Sequence, residues 1–275
     1  MLIPYYSLYR SLCEGNYVFL TAEQRLFFQS LGLSFQGNHL QDCYLYDASP
    51  CFGVLPFSVG PLNLSYHWMI TSTLDFAPHA ALHTLHWADV QLAARGQYNR
   101  RWCSALGRQI QLTLTLPIAS WPTLFPIYAL LHTLRPLLPG RALNFKWPND
   151  LYLDGFKVAG MLTHQLHDRT LISVGMNTTF FQEQPIIKCL WTHKHPLTRL
   201  HLISQWIDRL YDMQPSPEEI AKFLTDLHLI AQHDRCSFST QEGPMIFQSI
   251  MPCGRLLLSN PCGGLHQQES GSFLL

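Results

Sequence analysis

Lys146-Trp147-Pro148-Asn149-Asp150-Leu151-Tyr152-Leu153-Asp154-Gly155-Phe156-Lys157-Val158-Ala159-Gly160 is the stretch from which the rest of the chain can be read. Two apolar-rich segments flank Asp154-Gly155, a dipeptide that accepts the positive φ angles of a tight turn, so the stretch predicts a β-hairpin. A lysine, an Asn-Asp pair and a second lysine then fall on the two arms of that hairpin. Cations and hydrogen-bonding groups gathered on one sheet surface suit a phosphate and a carboxylate. Lys157, just past the turn, could neutralise both, whose like charges otherwise resist approach. Gly160 carries no side chain, so a ligand or another backbone can come close there.

The flanking sequence extends the hairpin into a mixed α/β unit. Upstream, Ile110, Leu112, Leu114 and Leu116 alternate with polar residues, a period of two that predicts a strand with one face buried. The stretch 125–138 reads as a helix, and downstream 170–174 reads as a third strand of the meander. Two helices follow, one over about 198–213 and one opened by Ser216-Pro217-Glu218-Glu219. There Ser216 caps, Pro217 takes the first turn and Glu219 can close a capping box. From about residue 235 short apolar runs (Met245-Ile246-Phe247, Leu256-Leu257-Leu258, Phe273-Leu274-Leu275) alternate with Gly and Pro, which predicts a small β unit with its boundary near 234. The first 65 residues are rich in Tyr and Phe. They predict one short helix at 22–31 and carry no basic helix-turn-helix pattern.

Bulk properties exclude several function classes. The chain has 275 residues, enough for one large or two modest domains. Charged residues are 13% of the total and sum to zero, so no basic stripe for nucleic acid is present. Hydrophobic residues reach 47%, yet His, Gln, Arg and Pro interrupt every apolar run, so no membrane span is expected. Residues 1–10 do not read as a secretory signal, and a cytoplasmic location is expected. The eight cysteines are scattered without CxxC pairs and are read as reduced thiols. The closest histidine clusters, His193 with His195 and His164 with His167, lack metal-ligand spacing and are read as ordinary surface or core histidines.

Lys-Trp-Pro-Asn-Asp (146–150) followed by Gly155, Lys157, Ala159 and Gly160 resembles the signature of biotin protein ligases. Three further elements agree in order and spacing over about residues 66–178. Ser72-Thr73-Leu74-Asp75 resembles the family's biotin-pocket Ser-Thr element, and the segment from Gln91 to Trp102 resembles its adenylate-binding loop. Val174-Gly175-Met176-Asn177 resembles the glycine and asparagine near its adenine site. More weakly, the stretch from Gly254 to Leu274 is similar to the family's C-terminal barrel.

The resemblance implies an α+β fold: a class II synthetase-like mixed sheet flanked by helices, plus a small C-terminal SH3-like β-barrel. Residues 1–65 would then be an extension of unknown role, 66–233 the catalytic domain and 234–275 the small β domain. It implies that biotin is activated with ATP to biotinyl-5′-AMP and transferred to a lysine of a biotin carboxyl carrier protein or carboxylase acceptor domain. Catalysis would fall to Lys157 and Arg95. Biotin would be held by Ser72, Thr73, Gln91 and Gly160. Arg95, Gly96, Arg100, Trp102, Asn149, Lys157 and Asn177 would hold the nucleotide. Magnesium would enter with ATP, with Asp150 orienting neighbours or helping to bind it. No nucleic-acid or membrane partner is implied, and a homodimer is compatible.

The loop departs from the family pattern at Ala94, Gln97, Tyr98 and Asn99, where Gly and Arg are usual. Ala94 in place of glycine removes freedom from a segment expected to order over its ligand, so adenylate retention would differ. Thr163-His164-Gln165 lacks an acidic residue often found there. Three rival readings stay open. A lipoate or octanoate ligase would not be expected to carry Lys-Trp-Pro-Asn-Asp; the altered loop admits a protein that binds biotin or its adenylate with attenuated transfer; and a bifunctional repressor would need a DNA-reading module that residues 1–65 do not display.

Overall fold

The computed structural model describes residues 34–36, 39–41, 53–57, 60–97, 100, 102, 109–118, 123–178, 190, 199–228, 237–240 and 243–269. Strands β1 (Ser34–Gln36) and β2 (His39–Gln41) form a separate antiparallel pair. The helix expected at 22–31 lies outside the described residues.

The centre is one eight-stranded mixed sheet. It contains β3 (Gly53–Phe57), β4 (Gly60–Ile70), β5 (Thr84–Gln91), β6 (Gln109–Pro117), β7 (Leu143–Lys146), β8 (Asp150–Leu153), β9 (Phe156–Gln165) and β10 (Arg169–Asn177), in the order β3-β4-β5-β6-β10-β9-β8-β7. β4 and β5 run parallel and every other neighbouring pair antiparallel. The meander β8-β9-β10 is the one read from the sequence, though β10 is longer than expected. β3 joins the same sheet, and β4 runs across the boundary expected between residues 65 and 66.

Helix α1 (Thr73–Phe76) follows β4, and α2 (Phe125–Leu134) is buried along nearly its whole length. Expected to reach residue 138, α2 instead passes at Arg135–Leu137 into a 3-10 turn, because Pro136 has no N–H to continue the α-helical ladder. Two more helices, α3 (Arg199–Asp212) and α4 (Pro217–Asp226), join α2 in a layer over the sheet. Ser216 caps α4, its Oγ accepting from Glu219 N at 3.1 Å, as read from the sequence. The Glu219 carboxylate accepts from the Tyr128 hydroxyl at 2.7 Å, which ties α4 to α2. A buried ion pair between Arg199 and Asp89 at 2.9 Å ties α3 to β5.

β6 differs from expectation. Its apolar face is in the core, but Gln109, Gln111, Thr113 and Thr115 on the other face are also buried. The chain after β4 covers that face: Thr113 meets Thr73 at 2.8 Å, and Thr115 Oγ1 donates to the Ala77 carbonyl at 3.1 Å. Polar alternation therefore marked a face covered by hydrogen-bonding partners, not by water.

The C-terminal strands β11 (Ser237–Thr240), β12 (Gly243–Ile250), β13 (Leu256–Ser259) and β14 (Leu265–Gln268) form a four-stranded antiparallel sheet in chain order, open among the described residues. Residues 273–275, expected to belong here, lie outside the described residues. The sheet packs on α4 and on the turn 147–149. The Trp147 indole donates to the Gly254 carbonyl at 2.9 Å, and Thr225 Oγ1 accepts from Ile250 N at 2.9 Å. No helix among the described residues is long and apolar enough to cross a membrane.

Candidate active site

The β8–β9 hairpin turns at Asp154 and Gly155, with φ of 51° and 81°, the left-handed values its sequence predicts. A register shift between Leu151 and Tyr152, opposite the stretch from Lys157 to Ala159, interrupts the ladder close to this turn. It changes the parity of β9: Val158 and Ala159 are both buried, and Lys157 and Gly160, three residues apart, share one face. A Cβ placed on Gly160 would sit 3.5 Å from Lys157 Cε and 3.3 Å from Asp150 Oδ1. Lys157 Nζ lies 2.7 Å from that carboxylate oxygen and 5.3 Å from the centre of the Trp102 ring.

Gly160 stands opposite Gly175 of β10, and the two glycines make a trough in which the Trp102 ring lies. A Cβ on Gly175 would come within 2.8 Å of the indole, closer than real contacts allow. Trp102 N donates to the Ala94 carbonyl and Gly96 N to the Arg100 carbonyl, which folds the described part of the loop back onto the trough. Arg95 is ion-paired with Asp75, whose other carboxylate oxygen accepts from Thr71 Oγ1 at 2.8 Å.

At the opposite end, Ser72 caps α1, its Oγ accepting from Leu74 N, so part of its role is structural. Thr73 donates through its backbone N–H to Gln91 Oε1 at 2.7 Å, and its hydroxyl reaches the same oxygen at 3.2 Å. Thr113 and Ser173 extend this hydrogen bonding across β6 and β10, Oγ1 to Oγ at 2.9 Å.

These groups surround one cavity of about 170 Å³. Ser72, Thr73, Gln91, Arg95, Gly96, Arg100, Trp102, Asn149, Asp150, Lys157 and Gly160, all singled out in the sequence, line it. Asn177 does not. It is buried at the end of β10, its Oδ1 accepting from Gln109 Nε2 at 2.7 Å. Asn149 lines the wall while its side-chain amide holds the Met161 carbonyl at 2.8 Å. Sequence reasoning assigned no site role to Leu112, Met161, Leu162, Ser173 and Val174, which also line the walls. The period-two pattern of β6 was the available signal for Leu112; for Leu162 the parity change on β9 hid it.

A groove of about 550 Å³ adjoins the cavity, sharing Arg95, Gly96, Gln97 and Asn149 and reaching Gly254 and Glu269 of the C-terminal sheet. The site is thus a polar-floored slot with a cation at one end and arginines at its mouth. It can hold an apolar body with a polar head at one end and a carboxylate beside a phosphate at the other. Among the described residues no three His, Cys, Asp or Glu side chains cluster as a metal site; His164 is exposed.

Residues 70–179 match the model of the Biotin/lipoate A/B protein ligase family. The Mycobacterium tuberculosis biotin–[acetyl-CoA-carboxylase] ligase is 31% identical over 106 residues, covering 35% of this chain and 40% of that protein. The Bacillus subtilis bifunctional ligase/repressor BirA is 32% identical over 131 residues, 42% of this chain and 40% of that protein. The chain thus spans about 40% of the length of each of these relatives. The biotin protein ligase from Aquifex aeolicus, solved with biotin and ATP, superposes with a TM-score of 0.61 at 20% identity, covering 77% of this chain and 97% of that one; this likeness concerns the fold. Residues 70–179 are thus similar in sequence to the Biotin/lipoate A/B protein ligase family, and the fold is similar to that of a solved biotin protein ligase.

Proposed function

We propose that the protein is a biotin protein ligase: it activates biotin with ATP to biotinyl-5′-AMP and passes biotin to a lysine of a carboxyl carrier domain. The observation that carries this reading is the convergence of Lys157 and Gly160 with Ser72, Thr73 and Gln91 on one cavity, inside the segment that matches the family. Ser72, Thr73 and Gln91 would hold the polar head of biotin, and Leu112 and Val174 its apolar body. Its carboxylate then points toward Lys157, where it attacks the α-phosphorus of ATP and pyrophosphate leaves. The acceptor amine next attacks the mixed anhydride and AMP leaves. No protein nucleophile is needed, since positioning and charge neutralisation by Lys157, Arg95 and Arg100 suffice. Lys157 must exchange its bond to Asp150 for the reacting oxygens. Asp150 fits the single carboxylate that commonly holds magnesium carried on a triphosphate, and bound magnesium would screen the phosphate charge.

In the same reading residues 66–233 carry catalysis, residues 234–275 close as an SH3-like barrel, Asn177 orients the nucleotide end from beneath, and the protein works in the cytoplasm. Ala94, buried where the family has glycine, favours a second reading: retention of the adenylate with attenuated transfer.

Pyrophosphate release from ATP, with biotin or lipoate and with or without a carboxyl carrier domain, tests both. The ligase gives biotin-dependent, lipoate-independent release that becomes multiple-turnover with acceptor, and Lys157→Ala lowers it by at least about 100-fold. A single burst unaffected by acceptor supports retention. No release despite biotin binding rejects the enzyme.

A further inference from the structure

Beneath the cavity, β5, β6 and β10 carry a row of carboxamides of which the chemistry above uses only the two ends, Gln91 and Asn177. Gln91 Nε2 donates to Gln111 Oε1 at 2.9 Å, Gln111 Nε2 to Gln109 Oε1 at 3.1 Å, and Gln109 Nε2 to Asn177 Oδ1 at 2.7 Å. Gln111 is 0% exposed and Gln109 1%, so water does not replace a broken link.

The direction of this row is dictated from one end. The Thr73 backbone N–H is a donor and nothing else, so the Gln91 atom it meets must be the oxygen. Gln91 therefore faces Gln111 with its nitrogen, Gln111 must answer with oxygen, and the same logic fixes Gln109 and then Asn177. Turning over Gln91, Gln111 or Gln109 sets nitrogen against nitrogen on one side and oxygen against oxygen on the other. The row has one low-energy polarity, and it runs from the Ser72-Thr73 end of the cavity to the end of β10.

The geometry points to Gln111 as a positioning residue that couples the two ends of the site. Through one bond it holds the Gln91 carboxamide with its oxygen toward Thr73, and through Gln109 it sets the orientation of Asn177. This deepens the ligase reading and rests on it for the identity of the ligand. Asn177 does not line the cavity, and the proposed route by which a change there reaches biotin is the row.

The test is equilibrium dialysis of labelled biotin against the full chain without ATP, with melting temperatures as the control for folding. Asn177→Ala is expected to weaken biotin at least about threefold, the coupling of residues within one hydrogen-bond network. In a Gln111→Met background the same change is expected to have no further effect. Should Gln111→Met not fold, Gln109→Met cuts the row one link later. Unchanged affinity in Asn177→Ala, or equal weakening in both backgrounds, overturns the proposal. If the wild type does not bind biotin, the ligase reading fails instead. The row is then read from the side-chain amide NMR signals of Gln91, which must shift in Asn177→Ala and not in the Gln111→Met background; no shift overturns the coupling.

Discussion

Gly160 and Gly175 show how little of a site is carried by reactive groups alone. Their missing side chains form the trough that seats Trp102, and Trp102 in turn lies beside the Lys157 ammonium. A methyl group at Gly175 would enter the indole at 2.8 Å, and the half-buried Trp102 would yield more readily than the buried strand. Gly175→Ala is therefore expected to lower kcat/KM for biotin-dependent pyrophosphate release by about 10- to 100-fold, as displacement of a positioned group does. The melting temperature should fall by no more than a few degrees. Activity and stability lost in proportion would show that the strand, not the indole, had moved. At this scale the residue types were legible from the sequence: the lysine, the arginines, the Ser-Thr pair and Gly160 were all identified before folding. Their contacts with one another were not, because Asp75 and Trp102 reach the site from separate elements.

The Lys-Trp-Pro-Asn-Asp turn serves both the cavity and the C-terminal sheet. Asn149 and Asp150 face the cavity, whereas Trp147 is 2% exposed and is hydrogen-bonded on both sides. Its backbone N–H donates to His228 Nε2 at 3.2 Å and its indole to the Gly254 carbonyl at 2.9 Å. Trp147→Phe keeps most of the packing and removes the indole donor, leaving the carbonyl without that partner, a loss of about 1–3 kcal/mol. Urea denaturation should register that loss, with amide exchange in β12 and β13 accelerating first. Protection unchanged in those strands would mean that the sheet is held independently of the turn. The hairpin that follows was legible because Asp-Gly is a local turn signal. The register shift beyond it was not, since it depends on how β8 and β9 pair.

Across the whole molecule, polar groups hold the packed elements together, and this makes stability depend on pH. His228 sits between Phe145 and Phe247, stacked on the latter at 4.4 Å, and burial with the nearby Lys146 charge pushes its pKa down to about 3. Burial beside His67 pushes His86 down to about 4. Both are neutral in the fold at neutral pH. In the unfolded chain they take up protons near their ordinary value of 6.5, so between 6.5 and these lowered values the unfolded state binds more protons. Stability is thus full above about pH 7 and falls as pH drops toward 4, by up to about 1.4 kcal/mol per unit for His228. Urea denaturation from pH 7.5 to 4.5 should show this slope, reduced in His228→Gln. An identical slope in that variant would place the titration elsewhere.

Turns, caps and periodicities are local, so the mixed α/β order, the Asp154-Gly155 hairpin, the Ser216 cap and the alternation along β6 could be read from the chain before it folded. Several of the residues that line the cavity were legible for the same reason, since Lys157, Gly160 and the Asn-Asp pair lie within one short stretch. Burial of the polar face of β6, the parity change that puts Lys157 beside Gly160, and the placing of Asn177 beneath rather than in the cavity were decided by tertiary structure. Each depends on which strands pair and what covers them, and a carboxamide reads the same in sequence whether it faces water or another carboxamide. Only the fold put Gln91, Gln111, Gln109 and Asn177 in one row, because hydrogen bonding between strands distant in the chain is what aligns them.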